Sequence, residues 1–431
     1  MTLTLIGFAI LLLLAFLGVP LAFATLAVGF FGLMYLRGLD AALAASSSWI
    51  VDTSINYNFS IIPLFVFMGA LIHRSGISGD LYAASYAWLG RFRGGLALAG
   101  VMSCAGFAAV CGSSLATAAT MTRVAVPSMR RFRYHDGFSA GTIAAGGTLG
   151  IMIPPSVPLA IYGIVAGEDI GQLFIAGILP GMLLVVLFLL AVLIVTAIRP
   201  DIGPKGRAMG LMETLRASYS TWPVIILFAI VLIGIYVGLF TPTEAAGVGC
   251  AGAFIMGVLR GHFRDRASLY GVIEETVTTS AMIFAIVFSA LVLAQFVNLT
   301  GMPYELRALV LEMGLGPTGL VLTICAICVV LGMVFESIGI LLLIIPVFLP
   351  SLDLLGVNLI WFGILVIIVI ELGLITPPIG MNVFTVKSVA PEIPLKAIFL
   401  GVLPYIAAMV LGGVLILFIP QIATLLPDAM R

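Results

Sequence analysis

Apolar residues run along this chain in long blocks, and polar residues gather in short clusters between them. Blocks at about 138–165, 174–198, 222–240, 244–260, 277–298, 357–386 and 399–420 are near or above the roughly 20 residues that a helix needs to cross hydrocarbon. The apolar-polar alternation of a membrane barrel is absent. The pattern predicts an all-α polytopic membrane protein. The first block, MTLTLIGFAILLLLAFLGVP, has no basic leading region and no small-residue cleavage site, so it is read as a retained first span.

Composition sharpens this. Of the 431 residues, 62% are hydrophobic and 9% charged, and the mean hydropathy is +1.26. A soluble domain could not cover that much apolar surface. The net charge is zero, so no basic face points to nucleic acid. The five cysteines all fall in apolar segments and read as small core residues; Cys325 and Cys328 have C-x-x-C spacing without a companion His or Cys pair. No phosphate-cradling loop is present, so ATP does not drive the chain directly.

The chain repeats itself. With Pro154-Pro155 placed on Pro377-Pro378, an offset of 223 residues, Gly150 falls on Gly373 and Leu149 on Leu372. At nearly the same offset AVPSM (125–129) meets FLPSL (348–352), Ser114 meets Ser337, and RSGISGDL (74–81) meets LTGMPYEL (299–306). LRG at 36–38 meets LRG at 259–261. These matches are collinear and divide the chain into halves at about 1–205 and 206–431.

Positive charge sets orientation, because Lys and Arg favour cytoplasmic loops. RFR (91–93), RRFR (130–133), the segment from Arg199 to Arg216 and RGHFRDR (260–266) are placed inside, with His73, His135 and His262 in the same connections. AGEDIG (166–171) and LFTPTEA (239–245) are placed outside. Corresponding spans of the two halves then run in opposite directions, an inverted-topology repeat of about ten full spans with both termini outside. Segments 97–128 and 317–352 each begin and end on one side. At 1.5 Å per residue they are too short for two crossings, and are expected to be re-entrant helical hairpins with tips at 111–116 and 335–339. Segments near 78–95 and 300–315 are expected to be interfacial amphipathic helices.

Each half also breaks a helix, at about 138–165 and 357–386, with GTLGIMIPPS (147–156) and LGLITPPIGMN (372–382). Proline costs about 3 kcal/mol in a helix interior and removes a donor. A break exposes carbonyls that suit a cation and N–H groups that suit a carboxylate. Two breaks facing two hairpin tips would make two ion sites flanking one substrate site.

GGTLGIMIPPS (146–156), TPPIGMNVF (376–384), GSSLA (112–116) and RSGIS (74–78) resemble the large membrane subunit of the tripartite ATP-independent periplasmic (TRAP) transporters, over essentially the whole chain. The resemblance implies a sodium-driven elevator-type importer of organic acid anions (C4-dicarboxylate, sialic acid or sugar acid) in the bacterial inner membrane. It implies two partners, a small membrane subunit and a periplasmic substrate-binding protein; with the charge-based orientation, both termini are expected in the periplasm. By match to the motifs, Ser113, Ser114, Gly146 and Thr148 are expected at a first sodium site, and Ser337, Gly373, Thr376 and Gly380 at a second. Gly112, Pro155, Ser156, Glu336 and Asn382 are expected to border the substrate. The second tip departs from the family: it reads Glu336-Ser337 where Asp followed by Thr or Ser is common.

Acids at membrane depth are costly and point to function. Glu336 and Glu371 are therefore candidates for ion coupling, and a proton-coupled organic anion transporter of the same architecture is the alternative reading. An intramembrane enzyme is not supported, because no base accompanies Ser113, and no catalytic residue is assigned.

Overall fold

The computed structural model describes residues 2–263, 265–314 and 316–430. Among them the chain is helical throughout, without a strand. The first half comprises α1 (Thr2–Phe16), α2 (Leu21–Arg37), α3 (Leu39–Ile55), α4 (Ile61–Arg74), α5 (Ile77–Leu89), α6 (Gly95–Cys111), α7 (Ser114–Arg131), α8 (Asp136–Met152), α9 (Val157–Ala166) and α10 (Ile170–Ile198). The second comprises α11 (Leu211–Tyr219), α12 (Trp222–Tyr236), α13 (Pro242–Leu259), α14 (Arg266–Leu299), α15 (Met302–Glu312), α16 (Pro317–Gly332), α17 (Ser337–Leu354), α18 (Leu359–Leu374), α19 (Met381–Val389), α20 (Leu395–Phe418) and α21 (Gln421–Asp428).

Six of the described helices are long and apolar enough to cross a membrane, or eight when each of two bent pairs is taken as one span. Several others, such as α1 and α2 with 15 and 17 residues, are apolar but shorter. Helix α14 begins at Arg266, well before the apolar block at 277–298. Hydropathy marks where a helix becomes apolar, and this one starts two to three polar turns earlier.

The centre is built on α8 and α18. Every residue of α8 from Gly137 to Met152 is buried, as is α18 from Phe362 to Glu371. A helix apolar on all sides belongs inside a larger core. Small residues let its neighbours close in: Gly137 and Gly141 of α8 meet the backbone of Ala397 and Gly401 on α20, leaving no room for a Cβ. Helices α6 and α7 pack on α8, and α16 packs on α18. Around the outside, α2 lies along α14, with Gly29 against the Leu293 backbone and the Thr25 hydroxyl donating to Ser289 Oγ at 2.7 Å.

The connection between the halves is stitched down. The amide of Gly94, just before α6, donates to Gly203 O (2.9 Å), and that of His135, just after α7, to Ile202 O (3.1 Å). Tyr134 Oη donates to Pro204 O (2.7 Å), Gly206 N to Gly90 O (2.9 Å), and Arg207 N to Tyr86 Oη (2.9 Å). The segment thus holds both ends of the α6–α7 pair.

Candidate functional site

Helices α6 and α7 are joined by a two-residue turn. Gly112 closes α6 in the left-handed region (φ 63°), and Ser113 opens α7, its Oγ accepting from Ala116 N at 3.4 Å. Helices α8 and α9 meet at a bend of 42° across Pro154-Pro155, and Ser156 caps α9 by accepting from Leu159 N at 3.3 Å. In the second half, α16 and α17 join through 333–336 with Glu336 at the cap position of α17, and α18 and α19 join through 375–380 with Gly380 at the cap position of α19 (φ 64°). The Glu336 side chain makes no capping hydrogen bond. Both Pro-Pro bonds are cis.

These four joints surround a cavity of about 400 Å³. Its wall includes the first turn of α7 (Ser113, Ser114, Leu115), of α9 (Val157, Pro158), of α17 (Glu336, Ser337, Ile338), and of α19 (Met381). Four helix N-termini therefore converge on one space. Each carries about half a positive charge on unpaired N–H groups, so together they favour an anion. Further lining comes from α4 (Val66, Gly69, Ala70, His73) and α14 (Glu275, Thr279, Met282, Ile283). There His73 Nδ1 lies 3.2 Å from Glu275 Oε1, and Arg74 Nε donates to Glu275 Oε2 at 3.2 Å.

Of the residues singled out in the sequence, Gly112, Ser113, Ser114, Glu336 and Ser337 line this cavity. Pro155 and Ser156 lie directly behind Gly112: a Cβ there would sit 3.1 Å from Pro155 O. The others do not reach the lining. Gly146 faces Cys104 of α6. The Thr148 hydroxyl donates to Ala145 O (2.6 Å) and lies 3.9 Å from Met409 Sδ of α20. Gly147 and Gly150 are the glycines of α8 that meet the turn, against Ser114 O and Ser113 O. Gly373 packs on Gly332 where α18 crosses α16. The Thr376 hydroxyl donates to Leu372 O (2.6 Å), and Gly380 N to Met333 O (3.2 Å). Asn382 is fully buried and reaches into the first half, its Nδ2 donating to Ala144 O at 3.3 Å.

Among the described residues, the buried side-chain oxygens without a partner include, beside the second break, Asn382 Oδ1 and both carboxyl oxygens of Glu371; the others are the hydroxyls of Ser46, Tyr82, Ser280 and Ser351. Glu371 is 1% exposed. Such groups are rare, because an unsatisfied buried polar atom costs about 1–3 kcal/mol. Those of Asn382 and Glu371 are hard oxygens of the kind that coordinate alkali cations. No cluster of three or more His, Cys, Asp or Glu suited to a transition metal occurs among the described residues.

His73 and Glu275 were not anticipated. The sequence placed His73 in a loop; it stands in the last turn of α4, half-buried at the cavity. The available signal was Glu274-Glu275, an acid pair leading directly into an apolar block.

The model of the family described as "Tripartite ATP-independent periplasmic transporter, DctM component" matches residues 8–422. The C4-dicarboxylate TRAP transporter large permease protein DctM of Pseudomonas aeruginosa is 32% identical over 88% of both chains. The sialic acid TRAP transporter large permease protein SiaM of Vibrio cholerae is 30% identical over 96% of both. The Alcanivorax borkumensis YdaH transporter has a similar fold, with a TM-score of 0.63 at 16% identity over 88% of both chains.

Proposed function

We propose that this chain, which belongs to the DctM component family of tripartite ATP-independent periplasmic transporters, is the large membrane permease of a sodium-coupled importer of organic acid anions. The observation that carries the reading is the convergence of four helix N-termini on one cavity. A carboxylate there meets oriented N–H groups in place of water, as broken helices arrange in many secondary transporters. Relatives named for C4-dicarboxylates, sialic acid, ectoine and 2,3-diketo-L-gulonate support a carboxylate substrate.

Sodium would travel as a second cargo. The carbonyls of the 112–113 turn, the hydroxyls of Ser113, Ser114 and Ser337, Asn382 Oδ1 and the carbonyl ends of α8 and α18 are the oxygens on offer. Gly146, Thr148, Gly373, Thr376 and Gly380 would contribute through backbone, since their side-chain positions are turned to other neighbours.

The two halves are proposed to be an inverted repeat. Left-handed glycines recur at nearly the same offset: Gly18 with Gly238, Gly38 with Gly261, and Gly76 with Gly301. Helix pairs α6–α7 and α16–α17 would be re-entrant hairpins, moving with the broken helices as the elevator core. The early helices of each half, with the small membrane subunit, would form the fixed scaffold in the inner membrane, and a periplasmic binding protein would deliver the substrate.

The test is uptake of labelled organic acids into proteoliposomes holding the chain, its small subunit and its binding protein. The reading expects uptake that needs both an inward sodium gradient and the binding protein. Uptake driven by a proton gradient without sodium would overturn the sodium assignment in favour of proton coupling.

A further inference from the structure

Resting on the anion-cavity reading, we infer that the substrate is a monocarboxylate whose far end carries hydrogen-bond donors, and that Glu275 and Thr279 select it against dicarboxylates. The helix starts and the α4–α14 residues that line the cavity differ in kind. Positive potential comes from the four N-termini. Among the described residues no Lys or Arg lines the cavity; its ionisable side chains are His73, Cys111, Glu275 and Glu336. The charge of Arg74 does reach Glu275, but from behind: its guanidinium lies over Gly271 of α14, where a Cβ would press into it, and its Nε is engaged by Glu275 Oε2.

A second carboxylate in the cavity would therefore share it with Glu275 and Glu336 and find no Lys or Arg of the described residues to receive it. A hydroxyl, amide or ammonium group would find acceptors. Each Glu275 oxygen keeps lone pairs beyond its bond to His73 or Arg74, and the Thr279 hydroxyl makes no hydrogen bond to any described residue. The lining also carries apolar side chains, Val66, Ala70, Ile151, Met282 and Ile283 among them, which suits a carbon skeleton. A volume of about 400 Å³ lies in the range that encloses ligands much larger than a four-carbon diacid, roughly 300–1,000 Å³.

The experiment isolates the permease from the selectivity of its binding protein. The detergent-purified chain with its small membrane subunit is titrated with gluconate and with succinate in sodium buffer, following heat of binding and thermal stabilisation. Gluconate should half-saturate at a concentration at least tenfold below succinate. Glu275→Gln should narrow that ratio at least threefold, and Thr279→Val should weaken gluconate while leaving succinate unchanged. Succinate binding as tightly as gluconate, or a ratio untouched by both substitutions, overturns the inference and leaves the anion cavity standing. Failure of both acids to bind a folded complex overturns the cavity reading and this inference with it. Should Glu275→Gln not fold, the wild-type ratio and Thr279→Val decide.

Discussion

Gly150 is the position where the broken helix and the first turn touch most closely, and Gly150→Ala tests whether that contact sets the site. A Cβ at 150 would sit 2.6 Å from Ser113 O, 2.8 Å from Thr117 Oγ1 and 2.9 Å from Ser113 C. Ordinary contact begins at 3.4 Å, so the intrusion on Ser113 O is about 0.8 Å. The struck atoms are mainly backbone and cannot rotate away; Thr117 Oγ1 is itself tied to Ser113 O at 2.7 Å. Overpacking of this kind costs about 1–3 kcal/mol, offset by up to about 1 kcal/mol from the better helix propensity of alanine. The net loss of stability is therefore small, about 0–2 kcal/mol. The functional loss should be larger, because binding groups tolerate displacements of only about 0.5 Å, and the turn carries Ser113 and Ser114 into the cavity. We expect sodium-driven uptake to fall at least tenfold in proteoliposomes while the purified complex melts within a few degrees of wild type. Gly247→Ala in α13, where a Cβ meets nothing within 4 Å, should leave uptake unchanged. Wild-type uptake by Gly150→Ala would refute the reasoning, as would an equal loss in both variants.

Four further outcomes follow from the same geometry. Glu371→Leu replaces a buried carboxyl with two unpaired oxygens by an apolar side chain of similar size; it should raise unfolding stability by about 1–3 kcal/mol and abolish coupled uptake, and a lowered melting temperature would contradict this. Asn382→Ala removes an unpaired buried oxygen and the tie to Ala144 O, so the sodium concentration for half-maximal uptake should rise several-fold, read from a sodium titration. Ser156→Ala removes the cap of α9 and should cost about 1 kcal/mol, measurable as a lower melting temperature that Ser156→Asn restores. Arg130→Ala breaks pairs from α7 to Asp136 and to Glu392; these half-exposed pairs should contribute no more than about 1 kcal/mol each, and a larger change in denaturant stability would show a structural role that their exposure does not suggest.

The helix ends at Met152 and Leu374 are legible in the sequence because proline chemistry is local. A residue without an N–H beside another of the same kind leaves no continuous helix to draw. The turn at Gly112-Ser113 is legible for a similar reason: a glycine free to adopt positive φ is followed by a capping serine. Helix rotation is not local in this way. One residue is 100° around a helix, so Gly147 and Gly150 meet the turn while Gly146 and Thr148, their neighbours in the same motif, look toward α6 and α20. The α4–α14 wall was hidden for another reason. Charges near the ends of apolar blocks read as loops, whereas α14 carries Glu275 in its third turn and α4 carries His73 in its last. Their meeting joins residues 202 apart in the chain, a distance over which no motif speaks.

The stitched connection at 199–207 has a consequence for how the gene can be cut. Its backbone is shared with Gly90, Gly94 and His135 of the first half, so chemically it is the closing strap of that half and not a leash between two. A two-piece version of the protein, with the halves produced as separate polypeptides, should therefore be divided between Arg207 and Leu211. A cut at Arg199 would hand the strap to the wrong fragment and leave the base of α6 and α7 unfastened.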